Sequence, residues 1–171
     1  EEENFEYVEI PVKTKEDTTE NIGIVIIKAP NPLPGNPIVM FGHGNGETAS
    51  DYTGYSIDFC PHGISICCVD YRGYGYSDGK YGSSSATERE DMITVYKYLK
   101  NNGFKKISYF GRSLGATCGL FVAAEFPDLV CIALDSPWLS TREWTEFKAK
   151  SFDKIDNDRF KSLLPSVYKD I

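Results

Sequence analysis

Histidine is scarce in this chain of 171 residues: there are two, His43 and His62. Five cysteines are present, Cys60, Cys67, Cys68, Cys118 and Cys131, and no pair has the two-residue gap of a zinc knuckle. No metal site and no cofactor are expected. The cysteine count is odd, and Cys67 and Cys68 are adjacent in a strand-like segment, so their side chains point to opposite faces. They read as small buried thiols of a reducing compartment, which predicts a cytoplasmic protein. Long apolar runs are also missing. Ile64 to Val69 and Gly119 to Ala124 fall far short of the ~20 residues that cross a bilayer. No secretory leader pattern is visible, and a start at Glu1 reads as a processed or engineered boundary. Positive charge is in deficit, with 18 basic against 25 acidic residues and a net charge of -7. Such a surface repels phosphate backbones, so neither nucleic acid nor anionic membrane is an expected partner.

What is present is enough for one folded core: 41% hydrophobic and 13% aromatic residues. Phe5 to Ile10 alternates with period two, and Ile22 to Ile27 is rich in β-branched residues, so both read as strands. A Pro/Gly/Asn cluster from Pro30 to Pro37 separates them from a buried strand, Ile38 to Phe41. Residues 48 to 60 suggest a helix capped by Thr48 or Ser50 and weakened by Gly54. Ile64 to Asp70 reads as a strand, and Ser85-Ala86-Thr87-Glu88 as a capping box opening a helix that ends near Gly103. Ile107 to Phe110, Leu114 to Phe126 and Val130 to Leu134 follow as strand, helix and strand. The order after the two leading strands is β-α-β-α-β-α-β. It predicts an α/β fold with a mostly parallel sheet, right-handed crossovers and helices on both faces. Residues 1–140 form the core in this reading, and residues 141–171 a helical tail or the start of a lid.

Gly-x-Ser-x-Gly occurs twice, at Gly75-Tyr76-Ser77-Asp78-Gly79 and at Gly111-Arg112-Ser113-Leu114-Gly115. A nucleophilic serine needs a tight strand-to-helix turn that exposes its hydroxyl and aims the following backbone N–H groups at the substrate. Only Ser113 lies between a predicted strand and a predicted helix. The competing reading is a serine that merely caps the helix. Ser77 is followed by loop residues and reads as a structural turn. A second donor for a developing oxyanion should come from the loop after the third strand. There His43-Gly44-Asn45-Gly46 offers the N–H of Asn45 beside that of Leu114. Gly44 to Ala49 also fits a loose dinucleotide-binding pattern, with Asp70 where a ribose-binding acid would stand.

Three segments resemble the α/β-hydrolase superfamily, in particular its serine-aminopeptidase, monoacylglycerol-lipase and depalmitoylase-like branch. They are His43 to Gly46, Asp70 to Gly79 and Gly111 to Gly115, with Ala133 to Pro137 a weaker fourth. The resemblance implies the α/β-hydrolase fold, with Ser113 as nucleophile and the backbone N–H groups of Asn45 and Leu114 as oxyanion hole. His43, Gly44, Gly111 and Gly115 would shape the site, while Arg112 and Asp70 would be structural. The implied reaction is hydrolysis of a small acyl ester, thioester or peptide through an acyl-serine.

The triad order of this fold is Ser, then Asp or Glu, then His, yet no histidine follows Ser113. The acid is also unidentified: Asp135 is a minority candidate, and Asp153, Asp156, Asp158 and Asp170 have no strand end to place them. The fold would lack its last two strands, leaving residues 130–134 as an edge open to pairing. The expectation is an N-terminal portion of a serine hydrolase, inactive by itself. The alternative is a catalytically inactive binding or scaffold protein.

Overall fold

The computed structural model describes residues 4–81 and 85–138. β1 (Phe5–Lys13) and β2 (Thr19–Ile27) form an antiparallel hairpin, with Phe5 opposite Ile27 and Lys13 opposite Thr19. β2 then pairs antiparallel with β4 (Ser65–Val69). β3 (Pro37–Gly42) lies between β4 and β5 (Lys106–Arg112), and β6 (Ile132–Asp135) follows β5; these last pairings are all parallel. The six strands run in the order β1-β2-β4-β3-β5-β6.

Alternation along the central strands divides the core in two. Ile38 and Met40 of β3 and Cys67 and Val69 of β4 face one side. They pack there against Met92, Val95, Tyr96 and Leu99 of α2 (Ser85–Asn101) and Cys118 and Val122 of α3 (Leu114–Glu125). Val39, Phe41, Ile66 and Cys68 face the other side, against Ala49 and Tyr52. Cys67 and Cys68 therefore separate as expected. Cys131 does not fit the buried-thiol reading, because it is exposed just ahead of β6.

Two local expectations need correction. Residues 48–60 are not one helix but a 3₁₀ stretch (Ala49–Tyr55), a single turn α1 (Ser56–Phe59) and a second 3₁₀ turn (Cys60–His62). Gly54 weakens the first part and Pro61 the last. Glu88, in the first turn of α2, is buried, and its Oε2 has no hydrogen-bond partner. The strand expected at Val130 to Leu134 begins at Ile132 and runs to Asp135. Val130 N–H still donates to the Ile107 carbonyl at 2.8 Å. The strand's onset is thus blurred by two residues.

These elements belong to the compact unit that ends at Pro137. Among the described residues no helix is long and apolar enough to cross a membrane, and β6 pairs with β5 alone. The tail assigned to residues 141–171 lies outside the described residues.

Candidate active site

Parallel strands bring their carboxyl ends to one edge of a sheet, where α/β folds place their sites. Here Gly42 of β3 pairs with Gly111 of β5, Gly111 pairs with Leu134, and Arg112 pairs with Asp135. Ser113 is the single residue between the end of β5 and the start of α3. Its φ of +53° and ψ of −109° are a strained combination for a residue bearing a Cβ. Its N–H donates to the Asp135 carbonyl at 2.8 Å, and its carbonyl accepts from Thr117 N–H at 3.1 Å. The hydroxyl makes no cap hydrogen bond to the helix it precedes. The reading of Ser113 as a mere helix cap thus loses the interaction that defines one.

The flanking glycines serve proximity. A Cβ at Gly111 would overlap the Gly115 carbonyl, and one at Gly115 would overlap the Gly42 carbonyl. Any side chain there would push β3, β5 and α3 apart. Tyr109 OH donates to the Gly115 carbonyl at 2.7 Å and locks the first turn of α3 onto β5.

The glycine-rich bend after β3 is clipped to the same turn. The His43 carbonyl accepts from Gly115 N–H at 3.0 Å and from Tyr71 OH at 2.9 Å. The bend passes beside the serine: a Cβ on Gly44 would stand 3.5 Å from Ser113 Cβ. Gly46 turns the chain at φ +82°. Asn45 is exposed, but its Oδ1 accepts from Tyr74 OH at 2.9 Å and from Tyr81 OH at 2.6 Å. Neither Asn45 N–H nor Leu114 N–H donates a hydrogen bond among the described residues. Two N–H groups are therefore left unused, one in the bend and one at the positively polarised start of α3.

The His43 ring is 1% exposed, and Tyr71 and Tyr74 stand 4.3 and 5.1 Å away, centroid to centroid. Nδ1 donates to the Gly44 carbonyl at 2.8 Å, while Nε2 lies 4.0 Å from Asp70 Oδ1. Burial lowers the pKa of the ring and keeps it neutral. No contact joins this ring to the Ser113 hydroxyl, and its bond to Gly44 makes it a brace of the bend. His62 is exposed at the end of the second 3₁₀ turn, on the side where β4 begins.

Asp70 is buried, and its carboxylate is already used. Oδ1 accepts from Ala49 N–H at 2.7 Å and Oδ2 from Tyr76 N–H at 3.2 Å. The dinucleotide reading of Gly44 to Ala49 thereby loses its ribose-binding acid, and the pattern opens onto a 3₁₀ stretch rather than a long helix. Ser77 is likewise used up: its hydroxyl donates to the Asp70 carbonyl at 2.6 Å and accepts from Gly23 N–H at 2.7 Å.

Asp135 sits at the end of β6 with its side chain exposed. Ser136 Oγ donates to its Oδ1 at 2.7 Å, and Arg112 Nε lies 3.6 Å from its Oδ2. Glu47 is a residue that sequence reasoning missed. Its Oε2 accepts from Gly44 N–H and from Tyr52 OH, each at 2.7 Å, and its Oε1 pairs with Arg112. The available signal was an acid three residues after Gly44, in a bend whose amides need acceptors. Glu47, Tyr52, Tyr55, Phe110, Arg112 and Asp135 are among the residues that line a recess of about 300 Å³. Asp153, Asp156, Asp158 and Asp170 lie outside the described residues.

The serine aminopeptidase S33 family matches residues 35–169. Human Protein ABHD12B is 32% identical over 117 residues, covering 64% of this chain and 31% of its own length. The uncharacterized membrane protein YNL320W of Saccharomyces cerevisiae is 34% identical over 85 residues, 47% of this chain and 29% of that protein. The chain thus spans about a third of the length of these curated relatives. Among solved structures, the Pyrococcus furiosus esterase Pf2001 superposes with a TM-score of 0.69 at 24% identity, over 95% of this chain and 64% of its own. Est1E of Butyrivibrio proteoclasticus, solved with ferulic acid, gives 0.68 at 19% identity, over 81% and 56%. At these identities the structural likeness is one of fold. A family match that runs through the bend after β3, the parallel strands and the Ser113 turn alike means that the chain belongs to the serine aminopeptidase S33 family, within the α/β hydrolases.

Proposed function

We propose that this α/β hydrolase carries the nucleophile and oxyanion hole of a serine hydrolase acting on a small acyl ester, thioester or peptide. The observation that carries the reading is the Ser113 turn: a strained serine, its hydroxyl not spent on capping, beside two unused N–H groups. In the reaction Ser113 Oγ attacks the substrate carbonyl carbon and gives up its proton to a general base. The carbonyl π electrons move onto oxygen, where Asn45 N–H and Leu114 N–H receive the developing charge. Collapse expels the leaving group with that proton and leaves an acyl-serine. Water then attacks the ester by the same route and frees the acid.

The base is not His43, whose ring is buried and tied to Gly44, nor His62, which is exposed near the start of β4. We assign it to a histidine outside residues 1–171, and we place the reaction in the cytoplasm on the strength of the reduced-thiol reading. Asp135 remains the candidate acid among the described residues. The second reading is a catalytically inactive binding or scaffold protein. A fluorophosphonate probe on the natural protein, with all the sequence its gene encodes, separates the two. The hydrolase reading expects labelling of wild type and none of Ser113→Ala. An unlabelled wild type establishes the binding protein instead.

A further inference from the structure

We infer that Glu47 is a positioning residue for the Asn45 N–H, acting with Arg112 as a strut between the glycine-rich bend and the Ser113 turn. The inference rests on the reading of Asn45 as an oxyanion donor.

The carboxylate of Glu47 packs directly on Gly44, since a Cβ there would stand 2.9 Å from Glu47 Oε2 and displace it. A glycine is also the residue least able to hold its own backbone still. The structure removes that freedom from both sides. On the amino side, Gly44 N–H donates to Glu47 Oε2 at 2.7 Å. On the carboxyl side, the Gly44 carbonyl accepts from Glu47 N–H at 3.2 Å and from His43 Nδ1 at 2.8 Å. The Gly44–Asn45 peptide is planar and trans, so fixing its carbonyl also fixes the direction of Asn45 N–H on the opposite side. Glu47 therefore grips both peptides that meet at Gly44, one through its side chain and one through its main chain.

The carboxylate is itself held. Tyr52, a buried residue of the first 3₁₀ stretch, donates to the same oxygen that takes Gly44 N–H. The other oxygen pairs with Arg112, the last residue of β5 and the immediate neighbour of Ser113. The bend that offers one donor is thus tied to the turn that offers the nucleophile. The two ends of the strut differ in weight. Glu47 is 25% exposed at its side chain and Arg112 is 51% exposed. A half-exposed ion pair contributes little, so most of the effect belongs to the carboxylate on Gly44 N–H.

The test compares variants of the natural protein by the second-order rate of fluorophosphonate labelling and by kcat and KM for a p-nitrophenyl ester. Loss of one oriented oxyanion donor costs on the order of 100-fold in kcat. Glu47→Ala is expected to lower kcat and the labelling rate by about 10- to 100-fold with KM changed by about twofold or less, the signature of an interaction made in the transition state. Glu47→Gln keeps the acceptor for Gly44 N–H and is expected to recover most of the rate. Arg112→Ala should lose about fivefold or less, in keeping with a half-exposed pair. Glu47→Asp keeps the charge with a shorter reach, and should lose rate while retaining the wild-type melting temperature. It decides the matter if the alanine variant does not fold. Wild-type rates for Glu47→Ala and Glu47→Asp, or a change confined to KM, would overturn the strut while leaving Ser113 as nucleophile. A wild type that takes no label removes the hydrolase reading and the strut with it.

Discussion

The chain contains the same five-residue pattern twice, and the two copies solve opposite problems. In Gly75 to Gly79 both glycines take positive φ, +49° and +91°, and the serine between them is bonded at both its donor and its acceptor side. In Gly111 to Gly115 the glycines keep ordinary φ, and the serine carries the strain at +53°. There the glycines are needed for closeness rather than for backbone freedom, since a Cβ on either would overlap a neighbouring carbonyl. One copy uses glycine to turn a loop and, at Gly75, to admit the Asp70 carboxylate that a Cβ would overlap, and it consumes its hydroxyl as structural glue between β2 and the Asp70 corner. The other uses glycine to press two strands and a helix together, and leaves its hydroxyl unspent. The difference lies in what surrounds each pattern, not in the pattern itself.

That contrast can be broken at several points. The largest effect concerns chemistry: Ser113→Ala should abolish fluorophosphonate labelling and cut ester hydrolysis by on the order of 10⁶, whereas Ser77→Ala should still label. Equal labelling of the two variants, followed by peptide mapping to a different serine, would undo the distinction. Next come the glycines. Gly115→Ala should destabilise by more than about 3 kcal/mol or prevent folding, because the obstructing atoms are backbone. Gly79→Ala meets side-chain and backbone atoms no closer than 3.3 Å and suffers only its positive φ, so a loss of about 1–2 kcal/mol is expected in urea unfolding.

Beside Tyr74, the residue that precedes the first copy, the buried acid Glu88 is near enough for its charge to raise the phenol's pKa. Burial pushes Glu88 up to about 7 from an ordinary 4.5. The folded state therefore holds a proton that the unfolded chain releases near pH 4.5. The contribution of Glu88 to stability should fall as pH rises from 4.5 to about 7 and stay flat above. Glu88→Gln lacks this liability. It should match wild type at pH 4 and exceed it at pH 8 by up to about 3 kcal/mol in urea unfolding. The smallest effect separates the serines by stability alone. Ser77→Ala leaves Gly23 N–H without its acceptor and should cost about 1–2 kcal/mol. Ser113→Ala breaks no cap bond and should change the melting temperature by roughly 2 °C or less.

Much of this architecture was legible in one dimension because its signals are local. The β-branched run of β2, the buried runs of β3 and β4, and the strand-to-helix switch at Ser113 each announce themselves within a few residues. The glycine-rich bend could be assigned to the same site because its position in the strand order puts it at the carboxyl edge of the sheet. Other features could not be read because they depend on partners far along the chain. Glu88 matches a capping box in sequence, but nothing in that pattern announces its burial. Residues 48–60 suggested one helix, but Gly54 and Pro61 split the segment into short turns. For Asp70 the pattern left two roles open, ribose-binding or structural, and only the bonds of its carboxylate to Ala49 and Tyr76 remove the first.

The sequence by itself determined the order of strands and helices, the class of fold and which serine stands at a strand-to-helix turn, since alternation, branching and glycine placement act over short range. Only the tertiary structure decided which polar groups remain unused. A hydroxyl, an amide or a carboxylate is free or consumed according to what the folded chain brings within 3 Å of it. That proximity consumes the Ser77 hydroxyl and leaves the Ser113 hydroxyl out of any cap bond, and through it Glu47, an ordinary acid in the sequence, holds the bend.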